Sequence, residues 1–308
     1  MTSQPELFDR RMIARQRERA APGIAAHDFL LRRAAADVAE RLEAIQREFP
    51  LALNLGAHHG VLSEMLQAAP SVGTVISMEE SPGLLARCPE PRLRGDMEML
   101  PFGGEQLDLV ASALALHFAN DLPGTLVQIR RALKPDGLFI AALLGGSTLQ
   151  ELRASFVTAE TEVTGGAAPR VAPMADIRDF GGLLQRAGFN LPVSDTDVVQ
   201  VSYETPFALM SELRGMGAAN ALSERSDRPL RRDVLGRAAE IYAERYPAEG
   251  GRVTATFEIV TLTGWAPHES QQKPLRPGAA STRLADALGT QEHSAGDKAD
   301  PGSARNSE

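Results

Sequence analysis

Short apolar runs alternate with helix-like segments through the middle third of the chain, and this alternation constrains the fold more than any other feature. The predicted strands are Leu51–Leu55, Thr74–Met78, Leu107–Ser112 and Leu138–Leu144, and the predicted helices among them include Val61–Ala69 and Leu122–Leu133. Strands that are apolar along their whole length belong in a parallel sheet that helices cover on both faces. We therefore expect an α/β protein with a mostly parallel sheet.

Composition and charge exclude several classes of protein. The 308 residues carry a net charge of −8, whereas a general nucleic-acid binder needs a basic surface to neutralise phosphates. A single cysteine, Cys88, excludes a disulfide framework and a thiolate metal cluster. No apolar run reaches the roughly 18 residues that a membrane helix needs, and residues 1–30 lack the apolar core of a signal peptide. We therefore expect a cytoplasmic protein without nucleic-acid partners, which could touch a membrane only peripherally, through a partner.

The regions outside the alternating core have different characters. Two further strands are predicted at Val193–Val201 and Ala255–Leu262, with a helical insert at Phe207–Tyr246 between them. The predicted organisation is 1–48, a helical arm; 49–146, the alternating core; 147–266, the C-terminal part of the sheet with its insert; and 267–308, a polar tail that is mostly disordered beyond 280.

Three loops at predicted strand ends carry residues suited to a nucleoside. The first strand leads into a loop whose Gly56 and Gly60 let the backbone approach a ligand closely. Glu79 ends the second strand, about twenty residues past the glycine loop, where an acid can accept hydrogen bonds from both ribose hydroxyls. Asp96 follows the third strand and can accept a hydrogen bond from an adenine amino group. These loops are expected at one edge of the sheet, where ligands of α/β proteins bind.

In their order and spacing, the three loops resemble those of the class I S-adenosylmethionine-dependent methyltransferases. The resemblance implies a Rossmann-like, seven-stranded sheet that is parallel except for a last strand near 255–263. It also implies S-adenosylmethionine as cofactor and a set of cofactor-binding residues: Asn54, Gly56, His58, Gly60, Glu79, Asp96, Met97 and Ser112. Two of them depart from the family's pattern, because Asn54 replaces the usual acid of the glycine loop and His58 replaces its middle glycine.

Longer strings resemble one branch of that superfamily, the complex I assembly factor 5 family of protein-arginine hydroxylases. The strings include Leu7–Arg10, Ser112–Arg153, Leu184–Asn190 and Trp265–Ala280. The resemblance implies hydroxylation of an arginine on a respiratory NADH dehydrogenase subunit, the one that carries the terminal iron–sulfur cluster. Because the chain starts almost at the Leu7–Arg10 string, we expect a bacterial homologue without a mitochondrial presequence.

His117 is the candidate catalytic residue, because it follows the fourth strand, near where the methyl group would lie. It could act as a general base or orient the substrate, or it could be a packed histidine that bonds to backbone. No metal site is predicted, although His58 or His59 could meet His117 at the same sheet edge. A substrate guanidinium would need carboxylates, for which the weak candidates are Glu151, Asp195 and Asp197.

Local signals predict several details of the backbone. Ser81 and Asp121 are predicted N-caps, and Thr148 with Glu151 has the spacing of a capping box. The segment Lys134–Gly137 is predicted to be a tight turn. One face of the first helix is predicted to be either a solvated surface or a docking surface for an acidic partner; it carries Arg11, Arg15 and Arg19.

Two other functions remain open at this point. The first is a small-molecule or carrier-protein methyltransferase, such as the malonyl-carrier methyl ester synthase of biotin synthesis, whose family has a similar Gly-Ser string after its fifth strand. The second is a non-catalytic assembly chaperone that kept the fold and lost turnover, which the departures at Asn54 and His58 would explain.

Overall fold

The computed structural model describes residues 6–226 and 228–271, together with Gly289. The described residues up to His268 form one compact unit. The predicted disorder beyond 280 falls almost entirely outside the described residues.

The strands and helices alternate as the sequence predicts. The helices are α1 (Arg10–Ala20), α2 (Phe29–Glu43), α3 (Val61–Ala68), α4 (Pro82–Leu85), α5 (Leu122–Ala132), α6 (Gln150–Thr164), α7 (Ile177–Arg186), α8 (Pro206–Gly215) and α9 (Arg232–Arg245). The strands are β1 (Phe49–Leu55), β2 (Val72–Glu79), β3 (Arg92–Arg94), β4 (Leu107–Ala113), β5 (Leu133–Leu144), β6 (Asn190–Tyr203), β7 (Pro247–Ala248) and β8 (Arg252–Trp265).

One mixed sheet holds these strands, in the order β3-β2-β1-β4-β5-β8-β6. Strands β1 to β5 pair in parallel, whereas β8 runs antiparallel to both β5 and β6. The short β7 adds an eighth strand beside β8. The expected Rossmann-like fold with a late antiparallel strand is confirmed. Strands β2 and β3 extend the sheet to one side of β1, whereas β4 and β5 extend it to the other. Ligands of such sheets bind at the point where the strand order reverses, here between β1 and β4.

Helices cover both faces of the sheet, which explains why its central strands are apolar throughout. On one face, Ala52, Leu109 and Ile140 pack with α2, α3, α6 and α9. On the other face, Leu53 and Val110 pack with α5 and α7. Because side chains of a strand alternate between the two faces, a strand covered on both sides needs apolar residues at every position.

Both predicted N-caps are confirmed, and the structure refines the predicted turn and the predicted helical insert. Ser81 and Asp121 cap α4 and α5 by accepting hydrogen bonds from the N–H groups of residues 84 and 124. The predicted turn at Lys134–Gly137 lies inside β5, as an irregularity in its pairing with β4. The predicted helical insert is two helices, α8 and α9, and the described residues between them are not helical.

The predicted capping box at the start of α6 is wrong because both of its members bond to β8. The N-cap of α6 is Leu149, which has a positive φ of 54° and makes no side-chain cap. The Thr148 hydroxyl donates to the carbonyl of Glu258 at 3.3 Å. The Glu151 carboxylate accepts from the hydroxyl and the backbone N–H of Thr256. Tertiary contacts with a strand therefore replace the local cap.

Helix α1 lies beside the carboxyl end of β2 and is fixed at both of its ends. Asp9 caps it by accepting from the N–H of Met12 at 3.0 Å, and also pairs with Arg225 at 2.9 Å. Further along, Glu18 accepts hydrogen bonds from the Ser81 hydroxyl at 2.7 Å and the Gly83 N–H at 3.0 Å. The helix thus connects the chain beyond α8 with the start of α4.

Candidate functional site

The carboxyl ends of β1, β2 and β4 bring three of the predicted loops into contact. The His58 N–H, from the glycine loop after β1, donates to Glu79 at the end of β2 at 3.0 Å. The His58 ring reaches the loop after β4 and donates from Nε2 to the Leu114 carbonyl at 3.1 Å. This is the sheet edge at which the sequence predicts a nucleoside site.

The two loop glycines are needed for close packing within the protein. Gly56 has a φ of 70°, and a Cβ there would lie 2.3 Å from the Cβ of Ala115. Gly60 has a φ of 95°, and a Cβ there would lie 2.9 Å from the Cα of Cys88. Their N–H groups donate to the carbonyls of Met78 and Ala57, each at 2.9 Å. Both glycines therefore shape the loop without presenting a free donor to a ligand.

His58 occupies the loop position where related loops have glycine. Its φ of 50° lies in the left-handed region, which a side chain other than Gly, Asn or Asp rarely adopts. Burial, together with the Arg17 charge, lowers the pKa of His58 to about 4. A neutral imidazole thus fills part of the space above the loop.

Glu79 is a buried carboxylate with four donors. The backbone N–H groups of His58, Glu80 and Ser81 donate to it at 3.0, 3.0 and 3.1 Å. The Arg17 guanidinium of α1 lies 3.3 Å from Glu79 Oε1, and both side chains are at most 4% exposed. Burial raises the pKa of Glu79, but Arg17, His58 and the backbone donors outweigh it, so the pKa is lowered. Glu79 is therefore ionised and fully hydrogen-bonded.

Asp96, the predicted adenine-binding residue, also pairs with an arginine of α1. Arg10 Nη2 lies 2.6 Å from Asp96 Oδ1 and 3.0 Å from Glu80 Oε2. The Asp96 carboxylate additionally accepts from the Glu98 N–H at 2.9 Å. The neighbouring Met97 is buried in the apolar layer under α5. The two acids expected to hold a nucleoside thus both bind arginines of the same helix.

Asn54 and Ser112 lie among the buried ends of the strands. The Asn54 amide donates to the Ser63 hydroxyl at 2.9 Å, while its Oδ1 is buried without a partner. The Ser112 hydroxyl donates to the Leu55 carbonyl at 2.7 Å and so ties β4 to β1. In this conformation the two side chains connect strands and α3.

His117 lies beside this cluster, in the loop after β4, with both ring nitrogens buried and unpartnered. Its ring packs against Phe118, with 4.3 Å between the centroids. Burial, with smaller effects of Arg17 and His58, lowers the pKa of His117 to about 3. At neutral pH His117 is therefore an uncharged imidazole whose nitrogens are not used by the surrounding protein.

The arginines of α1 are the part of the site that the sequence analysis missed. Arg11, Arg15 and Arg19 are exposed, whereas Arg10 and Arg17 point to the sheet edge. A signal was present, because Arg10, Ile13, Arg17 and Ala20 recur at the spacing of one helix face. That face buries Ile13, Arg17 and Ala20.

The other candidate residues lie apart from this cluster. Glu151 is buried against Thr256. Asp195 and Asp197 of β6 pair with Arg41 and Arg33 of α2. His59 bonds through Nε2 to Asp28 at 3.0 Å. In the described part of the chain, no group of three or more His, Cys, Asp or Glu side chains is arranged to hold a metal ion.

An apolar cavity of about 290 Å³ opens beside His117. Among its walls are Phe8, Phe118, Phe156, Met210, Met216 and Phe257. No carboxylate lines it in the described residues, and its two cations are Arg170, which is paired with Glu160, and the exposed Arg214. Phe118 and Met216 also line a second, smaller cavity whose walls include Arg17, His58 and His117, so the two cavities are neighbours.

Comparison with known proteins identifies the family. The family model described as "Methyltransferase domain" matches residues 53–141. The zebrafish protein named arginine-hydroxylase NDUFAF5, mitochondrial, is 41% identical over 91% of this chain and 89% of its own length. The chain belongs to the NDUFAF5 family. The human NDUFAF5 protein is likewise 41% identical, over 89% of this chain and 81% of its own length.

Another group of relatives is less similar than these NDUFAF5 proteins. The malonyl-[acyl-carrier protein] O-methyltransferase of Methylovorus is 32% identical over 92% of this chain and 100% of its own length. Among solved structures, the YcgJ protein of Bacillus subtilis superposes with a TM-score of 0.54 at 12% identity, covering 77% of this chain and 99% of its own. The similarity to the YcgJ structure supports the fold alone.

The site matches an adenosyl cofactor in chemistry but not in space. The paired acids at the ends of β2 and β3 suit ribose and adenine, as expected for an NDUFAF5-family chain with a methyltransferase domain. The space among Arg17, His58 and His117, however, is a cavity of only about 60 Å³. Ligand pockets commonly measure about 300–1,000 Å³. In this conformation Arg10 and Arg17 of α1 therefore occupy the carboxylates that a cofactor would need, and little space remains beside His58.

Proposed function

We propose that this protein modifies an arginine of a respiratory NADH dehydrogenase subunit, the one carrying the terminal iron–sulfur cluster, by hydroxylation. The observation that carries the proposal is the 41% identity to NDUFAF5 over 91% of the chain, since a relationship of that extent includes the sheet, the arm and the insert together. The proposal includes S-adenosylmethionine as cofactor, bound over Glu79 and beside Asp96, and a bacterial cytoplasmic location.

His117 is the residue proposed to touch the substrate. It is uncharged at neutral pH, because its pKa is lowered to about 3 by burial. Within the described residues neither of its ring nitrogens has a partner, so one can accept a hydrogen bond from a substrate N–H or hydroxyl and orient that group. The neighbouring apolar cavity shares the Phe118 wall with the small cavity around His117 and can hold the residues that flank the substrate arginine.

The test is to incubate the full-length protein with the unmodified dehydrogenase subunit and measure the subunit by mass spectrometry. Hydroxylation by dioxygen places one oxygen atom on the substrate and needs two electrons and two protons to convert the other into water. The reaction is therefore run in air and repeated with S-adenosylmethionine, several reductants and iron salts. We expect one added oxygen atom on an arginine, and no addition with the His117→Gln variant. An unmodified subunit under every condition would contradict the proposal.

A second function is favoured by the chemistry of the apolar cavity. Among the described residues its walls carry two cations and no carboxylate, which suits an acyl group with an anionic end better than a guanidinium. The Methylovorus relative, named as a malonyl-carrier O-methyltransferase, matches over its full length. Transfer of a labelled methyl group to a malonyl carrier, together with biotin auxotrophy of a deletion strain, would decide for this function.

A further inference from the structure

Helix α1 places two arginines on the carboxylates that a nucleoside would need. Arg10 and Arg17 are seven residues apart and so project from the same helix face. Arg17 pairs with Glu79, and Arg10 pairs with both Asp96 and Glu80. These are contacts between the arm and the strand ends, made across the space that an adenosyl group would occupy.

Ribose and Arg17 would compete for Glu79, because a carboxylate accepts only a limited number of hydrogen bonds. An ionised carboxylate offers about four lone-pair sites. Three backbone N–H groups use Glu79 in this structure, and they are fixed by the turn after β2 and the glycine loop. Arg17 supplies the remaining contact, at 3.3 Å to Oε1 and 3.5 Å to Oε2. A ribose diol can therefore reach Glu79 only if the Arg17 side chain leaves.

The Arg17 guanidinium does not have hydrogen-bond partners for all of its N–H groups among the described residues. Its Nη2 is buried without a hydrogen-bond partner, and its guanidinium carbon lies 5.8 Å from the centre of the Phe118 ring. A buried donor without a partner costs free energy. Nε and Nη1 of Arg10 are likewise unpartnered. These unpaired donors reduce the free energy that the contacts of α1 contribute to the closed site. A ligand that donates hydrogen bonds to the same carboxylates can therefore replace the arginines of α1.

We propose that α1 is an internal competitor for the nucleoside site. A ligand with a ribose diol and an adenine ring binds by displacing Arg17 from Glu79 and Arg10 from Asp96. This displacement releases α1 from the carboxyl end of β2. The proposal rests on the adenosyl cofactor of the proposed function, and it adds that the closed conformation inhibits binding of that cofactor.

Calorimetric titration with S-adenosylhomocysteine tests the competition. The Arg17→Met variant removes the guanidinium, and the matched control is Arg15→Met, an exposed arginine of the same helix. We expect Arg17→Met to lower the Kd at least tenfold and Arg15→Met to leave it unchanged. A Kd that is equal to or higher than that of the wild type in Arg17→Met would overturn the competition while leaving cofactor binding in place.

Hydrogen exchange of the wild-type protein gives a second measurement that needs no variant. We expect the amides of residues 12–20 to exchange faster once S-adenosylhomocysteine is bound, because α1 is released. Slower or unchanged exchange on binding would overturn the proposal. If neither the wild type nor Arg17→Met binds the ligand at millimolar concentration, the cofactor in the proposed function fails and the competition fails with it.

Discussion

His58 shows how one side chain changes the character of a glycine loop. It holds a left-handed backbone conformation, donates to the Leu114 carbonyl and is buried as a neutral ring. A glycine there would leave that space empty and would adopt the same φ without strain. The imidazole therefore stabilises the closed form of the loop and narrows the cofactor position.

The buried His58 should make the protein sensitive to acid. Its pKa is about 4 in the folded state against about 6.5 in the unfolded state, so the unfolded state binds the proton first as the pH falls. Stability from this residue is complete above pH 6.5 and is lost as the pH falls toward 4. We expect the drop in Tm between pH 7 and pH 4.5 to be smaller in His58→Asn, whose side chain tolerates this φ. An equal drop in His58→Asn and in the wild type would contradict this explanation.

Gly56 should tolerate no side chain. An added Cβ would meet Ala115 at 2.3 Å, and the φ of 70° is unfavourable for alanine. We expect Gly56→Ala to lower the free energy of unfolding by about 2–4 kcal/mol. Gly166→Ala, where nothing lies within 4 Å of the added Cβ, should change it by less than about 0.5 kcal/mol. Urea unfolding of both variants checks this, and equal effects would contradict the packing explanation.

At the scale of elements, the central strands and two helix caps were predictable because their causes are local or repeated. Ser81 and Asp121 bond to residues three positions further along the chain. The capping box failed because the partner of Glu151 is Thr256, 105 residues away. The helical insert was predicted as one segment because its composition favours helix throughout, whereas the tertiary contacts of residues 217–222 with the arm interrupt it.

The N-cap of α1 should control how firmly the arm is held. Asp9 caps the helix and pairs with Arg225, and the guanidinium contact contributes to lowering its pKa, after the Met12 N–H. We expect Asp9→Ala to destabilise α1 by about 1 kcal/mol and to speed amide exchange in residues 12–20. Asp233→Ala, which removes an exposed pair on α9, should leave the exchange of α1 unchanged.

The acids on β6 should be dispensable. Asp197 and Asp195 form exposed pairs with Arg33 and Arg41 of α2, and such pairs are worth about 0–1 kcal/mol. We expect Asp197→Asn to keep both the wild-type Tm and the wild-type activity. A loss of activity without a loss of stability would instead return Asp197 to the list of substrate-binding carboxylates.

At the scale of the whole molecule, the sheet and its late antiparallel strand were predictable, but the closure of the site was not. The loop residues Gly56, Glu79 and Asp96 lie at one sheet edge because strand order places them there. Their partners Arg10 and Arg17 come from a helix whose position depends on packing between distant segments, such as Gly217 against the backbone of Arg17. A pattern along the sequence does not depend on such packing, so it could not predict the position of α1. Within the described residues, no helix is long and apolar enough to cross a bilayer.

The pairing of Phe8 with Leu222 joins the arm to the segment after α8, and Gln16 adds a hydrogen bond to the Asn220 carbonyl at 3.1 Å. Phe8 and Met216 are also walls of the apolar cavity, so a movement of α1 changes the shape of that cavity. Two ligands that share a moving wall have linked affinities, and the linkage is equal in both directions. Displacement of α1 by a nucleoside would therefore change the affinity of the apolar cavity for its own ligand, and a ligand in that cavity would change the affinity for the nucleoside by the same factor.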